Sequence, residues 1–364
     1  MLRLRHNEKI NMNLLMYIAI IVVSAVILIY LDMNKYAHNY AISIIEKSLV
    51  YAVVALSMNI VTGFTGLFSL GQAGFMALGA YTTAILTIPV ASRPNVYYMN
   101  GILPILEKAV VPIPVALILG GVVAGLFAAL IGIPILRLKS DYLAIATLGF
   151  SEIIRAVIAS PMMDKVTNGS YGLKSIPGFN SSLQCFGYSL ICIVIMILII
   201  NSSTGRDFKA VREDEIAARS VGINLFKTKE LSFVVSSFFT GVGGGLLAMF
   251  MRSIDSKTFQ ITLTYDILLI VVLGGIGSIT GSIVGAFFVT AGKELLRFFD
   301  EPLIVGGVQI PLFKPGFRMV IFSILLMVVV LFFRKGLLGG KELSFNRLSK
   351  MSRKKKVDIE GGTA

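Results

Sequence analysis

Charge is scarce in this chain of 364 residues: only 15% are Asp, Glu, Lys or Arg, while 55% are apolar and the mean hydropathy is +0.83. A soluble globular chain carries roughly 25% charged residues, so a water-facing fold is excluded, as are disorder, collagen and coiled coil. Histidine is almost missing. His6 and His38 are the two present, both outside the apolar runs, so there is no HExxH zinc site and no intramembrane histidine to activate a serine. Cys185 and Cys192 lie in or beside one apolar stretch and form neither a disulfide framework nor a metal pattern. A GxxxxGK[ST] loop is absent too: GAFFVTAGKE (285–294) has the wrong spacing, and Lys293 is followed by Glu294. The chain cannot hydrolyse ATP by itself. What these absences leave is an all-α, polytopic integral membrane protein without catalytic residues, cofactor-binding residues or metal ligands.

The charges that do occur sit where a membrane protein needs them. The net charge is +13 and the isoelectric point 9.7, and the excess is concentrated at the chain ends. Residues 334–364 hold nine Lys/Arg against Glu342, Asp358 and Glu360. This reads as topology and affinity for anionic membrane lipid, not as a nucleic-acid-binding face. Arg3, Arg5 and Lys9 precede the apolar run Met12 to Leu31, as in a signal peptide, but the run of twenty residues exceeds the roughly 7 to 15 of a cleavable core. An uncleaved first transmembrane helix is expected.

About twenty apolar residues at 1.5 Å each cross the hydrocarbon layer. The expected spans are Met12–Leu31, Ala41–Val61, Leu67–Ile88, Val111–Ile133, Asp141–Ala159, Leu183–Ile200, Leu231–Met251, Thr264–Ala291 and Phe317–Phe333. With the N-terminus inside, the inner loops carry 20 Lys/Arg and the outer ones 10, in accord with the positive-inside rule. Nine simple crossings would nevertheless put the most basic tail outside, so one stretch must cross an even number of times. Residues 264–291, centred on LGGIGSITGSIVG, are the natural place: the glycines weaken a continuous helix and permit a broken or re-entrant pair. The expectation is therefore about eight full spans plus that pair, 8–10 transmembrane helices, with both termini cytoplasmic. Residues 1–333 form the permease domain, and 334–364 a basic cytoplasmic tail, largely disordered. Gly277, Gly281 and Gly285, like Gly121/Gly125 and Gly241/Gly245, also fit helix-packing stripes.

Few ionisable groups lie in the apolar stretches: Glu46, Lys47, Glu152, Arg155 and Asp266. Glu152 and Arg155, at i and i+3, share a helical face and can neutralise each other. Segment 201–230 is neither span nor simple linker. Ser203 or Thr204 can cap a helix over 206–221, with Phe208, Val211 and Ala218 on one apolar face, Glu215 and Arg219 as an i, i+4 pair, and Gly222 as a left-handed stop. Such a helix suits docking in a partner's groove.

Four blocks resemble the LivM-type permease subunits of branched-chain amino acid importers of the ATP-binding cassette class. Residues 48–81 hold a G-x-x-G-x-x-S-x-G-x-A-x-F core at Gly63, Gly66, Ser69, Gly71, Ala73 and Phe75. The others are LKSDYLAIATLGFSEIIRAV (138–157), GRDFKAVREDEIAARSVGIN (205–224) and YDILLIVVLGGIGSITGSIVGAFF (265–288), joined by NGSYGLKSIP (168–177). Gln72 stands where the family often has His, and Ser151 where it often has an acidic residue or Gly.

The resemblance implies a subunit that forms half of a translocation pathway for branched-chain or related amino acids. Gly63, Gly66, Ser69, Gly71, Gln72, Ala73, Phe75, Gly274, Gly275, Gly277, Ser278 and Gly281 would belong to the pathway or its broken helices. Arg212, Glu213, Asp214, Glu215, Ala217, Ala218 and Gly222 would belong to a helix coupling the chain to ATPases. The implied partners are two cytoplasmic ATPase subunits, a second LivH-like permease and an extracytoplasmic binding protein, in the inner membrane of a bacterium. ATP and Mg would be used by the ATPases, with no cofactor bound by this chain. The alternatives are an ion-coupled secondary transporter of a small polar solute, or a permease for urea or amides.

Overall fold

The computed structural model describes residues 19, 21–99, 101–107, 109–138, 140–296, 304–305, 308–309, 320–324 and 327. The basic tail, the start of the expected span 12–31 and most of the expected span 317–333 lie outside the described residues. The long helices are α1 (Ile21–Met33), α2 (Lys35–Asn59), α3 (Gln72–Thr87), α4 (Ile113–Ile135), α5 (Ser140–Ile158) and α6 (Ser182–Asn201). After them come the short α7 (Ser203–Glu213) and α8 (Glu215–Ser220), the long α9 (Leu225–Met251), and α10 (Ile261–Gly274) and α11 (Ile279–Leu295). The described strands are a two-residue antiparallel pair, Ile304–Val305 with Val308–Gln309. By length and apolar composition four helices can cross a membrane, or six if each of two bent pairs is one span.

Because α4 is apolar all round, no amphipathic stripe chooses its buried side. Small residues choose it. Gly120, Gly121, Ala124, Gly125 and Ala128 are buried, whereas Leu126 and Leu130 are exposed. Lipid is as apolar as leucine, so helices associate where small side chains let backbones approach. The same rule makes α9 the centre of the bundle. Its Gly241 abuts Ala124 and the Gly120 carbonyl of α4, Gly243 faces Val54 of α2, Gly244 lies against the Met76 backbone of α3, and Gly245 meets Thr83 of α3 and Leu117 of α4.

The contacts on α9 also give the chain direction. Val54 of α2 meets Gly243 and Ser57 meets Thr240, whereas on α3 Thr83 meets Gly245 and Gln72 meets Ser236 and Thr240. So α2 runs antiparallel to α9 and α3 runs with it, and the chain reverses between Asn59 and Gln72. A second reversal follows. Gly274 faces Gly281, Gly285 faces Ile270, and Lys293 bonds Asp266 at 2.5 Å, so α10 and α11 form an antiparallel hairpin turning at Gly275–Ser278. The stretch 264–291 is thus broken as its glycines foretold, and it returns to the side from which it entered.

After α1, three helix starts lie five or more residues from the expected spans, and the first is α2, which begins at Lys35 rather than Ala41. The helix expected from Leu67 begins only at Gln72, because residues 65–71 leave helical geometry. The helix expected from Leu231 begins at Leu225, where the Asn224 side chain caps it by accepting from the Lys227 N–H at 3.1 Å. Gly277 is likewise not part of a packing stripe: it lies in the reversal at φ +79°.

Candidate functional site

The first reversal starts as a π turn, Ile60–Phe64, in which the Thr65 N–H reaches the Ile60 carbonyl at 3.1 Å. Leu67 N–H bonds the Val61 carbonyl at 3.0 Å, and Gly66 takes φ +78°, a conformation in which a side chain is strained. Non-helical backbone at membrane depth survives where protein satisfies its polar groups. Here hydroxyls do so. Thr147 of α5 accepts from the Leu70 N–H and Thr264 of α10 from the Ala73 N–H, each at 3.0 Å, while Ser69 accepts from the Gly71 N–H at 3.4 Å.

Gln72 opens α3 inside the bundle and is buried. Its carbonyl oxygen accepts from the Thr240 hydroxyl at 2.5 Å, and Thr240 in turn meets Ser57 at 2.8 Å. Ser236 donates to the Ser57 carbonyl at 2.7 Å, completing a polar cluster across α2, α3 and α9. The cluster thus holds an uncharged amide, whose nitrogen lies 3.5 Å from the Ser236 hydroxyl. Phe75 is buried edge-on to Phe233, 5.5 Å between centroids at 82°, and Ala73 is fully buried. Gly71 and Gly74 pack against Thr147 and Ser151 of α5, so the small Ser151 suits the close approach of α3.

At the second reversal Gly275 has φ +117° and Gly277 φ +79°, and the Ser278 hydroxyl accepts from the Gly281 N–H at 3.0 Å to start α11. Asn59, the last residue of α2, joins the two reversals. Its amide donates to the Ser278 carbonyl at 2.9 Å and to the Ser282 hydroxyl at 2.7 Å, and its oxygen accepts from the Gly277 N–H at 2.8 Å. Arg212 of α7 reaches the same place, donating from Nη1 to the Gly63 carbonyl at 2.9 Å. Lys209 adds a contact over the Phe64 ring, 5.6 Å from its centroid. The reversals and the short helices are one assembly.

Several sequence expectations for segment 201–230 need correction. It is two helices, not one over 206–221. Ser202, rather than Ser203 or Thr204, caps α7, and Asp214 ends it by accepting from the N–H groups of Ile216 and Ala217 at 2.7 and 3.0 Å, which caps α8 instead. Phe208, Val211 and Ala218 share burial, but they are sealed against the chain itself and present no docking face. The outward apolar side chains are Ile216, 84% exposed, and Val221, 76% exposed. Glu215 bonds Lys229 of α9 at 2.7 Å in place of Arg219. Gly222 is a left-handed stop, at φ +89°. Ala217 lies on α8, and Glu213 pairs with Arg212.

Of the charges in the apolar stretches, Lys47, Glu152, Arg155 and Asp266 are ion-paired. Arg155 holds Glu152 at 2.6 Å, as the i, i+3 spacing foretold, and Lys293 holds Asp266. Asn59, Thr147, Thr264 and Thr240 were not singled out from the sequence. Asn59 alone had a signal, as a lone amide in an apolar run.

A family model described as "Branched-chain amino acid transport system / permease component" matches residues 40–331. The chain is 32% identical over 306 residues to the high-affinity branched-chain amino acid transport system permease protein LivM of Salmonella typhimurium, covering 74% of this chain and 67% of that one. It is 25% identical over 349 residues to the "Probable branched-chain amino acid transport permease protein LivM" of Methanocaldococcus jannaschii, covering 85% and 95%. Against the "Probable branched-chain amino acid transport permease protein LivH" of the same organism the figures are 25% over 274 residues, 70% and 81%. No solved structure matches the chain.

Proposed function

Since the chain belongs to the permease-component family of branched-chain amino acid transport systems, we propose that it is the LivM-like membrane subunit of an importer driven by separate ATPases. It resides in the bacterial inner membrane and forms half of a pathway for branched-chain amino acids, the other half coming from a LivH-like permease. An extracytoplasmic binding protein delivers the substrate, and two cytoplasmic ATPases, which bind the ATP and Mg, drive alternating access.

The observation that carries this reading is the packing of α7 against both backbone reversals, with α8 following it and Ile216 and Val221 left exposed. Apolar side chains so exposed at the tip of a short, capped helix fit a groove on a partner. The two hairpins agree with the charge count. Each returns to the outer side, so the stretch 264–291 supplies the even crossing that brings both termini to the cytoplasm. The reversals containing Gly63, Gly66, Ser69, Gly71, Gly274, Gly275, Gly277, Ser278 and Gly281 then stand at the inner end of the pathway, with Gln72, Ala73 and Phe75 as its packed support.

An ion-coupled carrier is less well supported, because Glu152 and Asp266 are already ion-paired within the chain. The test is co-purification. Ile216→Arg places a charge in the docking surface without touching the core, and the variant is expected to insert normally yet lose both ATPase subunits. Retention at wild-type levels would remove α8 as the docking element.

A further inference from the structure

Arg212 is the one side chain of α7 found to touch both reversals. Its stem lies under Gly66, where a Cβ would come within 3.0 Å of the Arg212 Cγ. Its Nη1 donates to the Gly63 carbonyl at 2.9 Å, and a Cβ on Gly277 would meet the same nitrogen at 2.9 Å. The other terminal nitrogen pairs with Glu213, which fixes the plane of the guanidinium. Two features explain why the site takes arginine. The Leu67 N–H turns back to the Val61 carbonyl, leaving the Gly63 carbonyl to an outside donor. Glycine at 66 and 277 leaves room for a planar group between the two backbones. A rigid planar fork sets its donors at fixed angles toward separate partners, whereas a lysine ammonium is a compact charge on a flexible stem.

On the far side the short helices are anchored rather than loose. Phe208 and Val211 are buried, and Glu215 ties α8 to Lys229 at the start of α9. Asn59 locks the two reversals to each other. A push on α8 therefore reaches the reversals through α7, where Lys209 meets the first reversal at Phe64 and Arg212 reaches both. We infer that Arg212 is a positioning residue that makes the α7–α8 pair and the two reversals move as one body, so that displacement at the docking helix resets both halves of the inner end of the pathway. This rests on the importer reading above and adds to it the residue through which the motion passes.

The experiment compares wild type, Arg212→Ala and Ile216→Arg, each purified with its cognate permease and ATPase subunits and reconstituted in vesicles with the binding protein and radiolabelled leucine. Arg212→Ala is expected to retain the ATPases, because the arginine side chain turns inward to the reversals. Its binding-protein-stimulated hydrolysis and leucine uptake are expected to fall about tenfold or more, the size of an ordinary coupling between sites. Ile216→Arg is expected to lose the ATPases outright. Stimulated hydrolysis and uptake undiminished in Arg212→Ala would overturn the inference, and so would loss of the ATPases from it, since the residue would then serve docking or folding. If wild type itself fails to retain the ATPases, the importer reading falls first. Should Arg212→Ala not accumulate, Arg212→Lys keeps the stem and charge without the fork. Uncoupling in that variant with the ATPases still bound supports the inference, and full coupling overturns it.

Discussion

Asn59→Ala is the perturbation whose size follows most directly from the geometry. The side chain is fully buried and makes three hydrogen bonds to the second reversal, at 2.9, 2.7 and 2.8 Å. Hydrogen bonds between helices in a membrane average about 0.6 kcal/mol each, so the three together contribute about 2 kcal/mol. Truncation also strips the half-buried Gly277 N–H of its acceptor, which costs about 1 kcal/mol, the lower end of the range for an orphaned donor. A loss near 3 kcal/mol is expected in reversible SDS unfolding from mixed micelles. Asn59→Asp should be at least as damaging, since it keeps the acceptor for Gly277 but sets an oxygen against the Ser278 carbonyl. A double-mutant cycle with Ser282→Ala isolates one of the three bonds, because Ser282 retains its own bond to the Ser278 carbonyl at 3.1 Å. Its coupling energy should be about 0.6 kcal/mol. If Asn59→Ala unfolds within about 0.5 kcal/mol of wild type, less than a single such bond, the tether between the reversals contributes nothing and the reasoning fails.

Two further outcomes test the packing. Gly79→Ala drives a methyl into the Gly241 backbone and must separate α3 from α9, so it should reduce the monodisperse fraction after detergent extraction, whereas Gly149→Ala, with nothing within 4 Å of its Cβ, should match wild type; equal behaviour of the two would refute the close-approach account of the bundle. Arg93 is buried and donates to the carbonyls of Ile88 at 3.1 Å, Ile85 at 3.3 Å, Ala109 at 2.7 Å and Leu106, closing the end of α3, so Arg93→Ala should lower stability by about 2–3 kcal/mol in the same unfolding assay, with Arg93→Lys between the two.

The features that the sequence by itself determined are local ones. Apolar length marked the helices, because a span needs about twenty such residues whatever it packs against. Glycine density marked the turn at Gly275–Ser278, because a reversal needs positive φ, and the same reasoning placed the stop at Gly222. The Glu152–Arg155 pair needed only helical spacing. Tertiary structure decided which way the side chains face and whom they meet. The apolar residues Phe208, Val211 and Ala218 look like a docking face until the bundle that buries them is present, and Ile216 looks like filler until it is left outside. Glu215 takes Lys229, fourteen residues away, over the neighbour one turn along. In helices that are apolar on all sides, periodicity carries no record of the buried side, and the choice falls to close approach of small residues from distant parts of the chain. Asn59 and Arg212 show the limit most clearly: their partners lie 223 and 149 residues away, at Ser282 and Gly63, and only a fold that brings two reversals and a short helix together gives either residue its role.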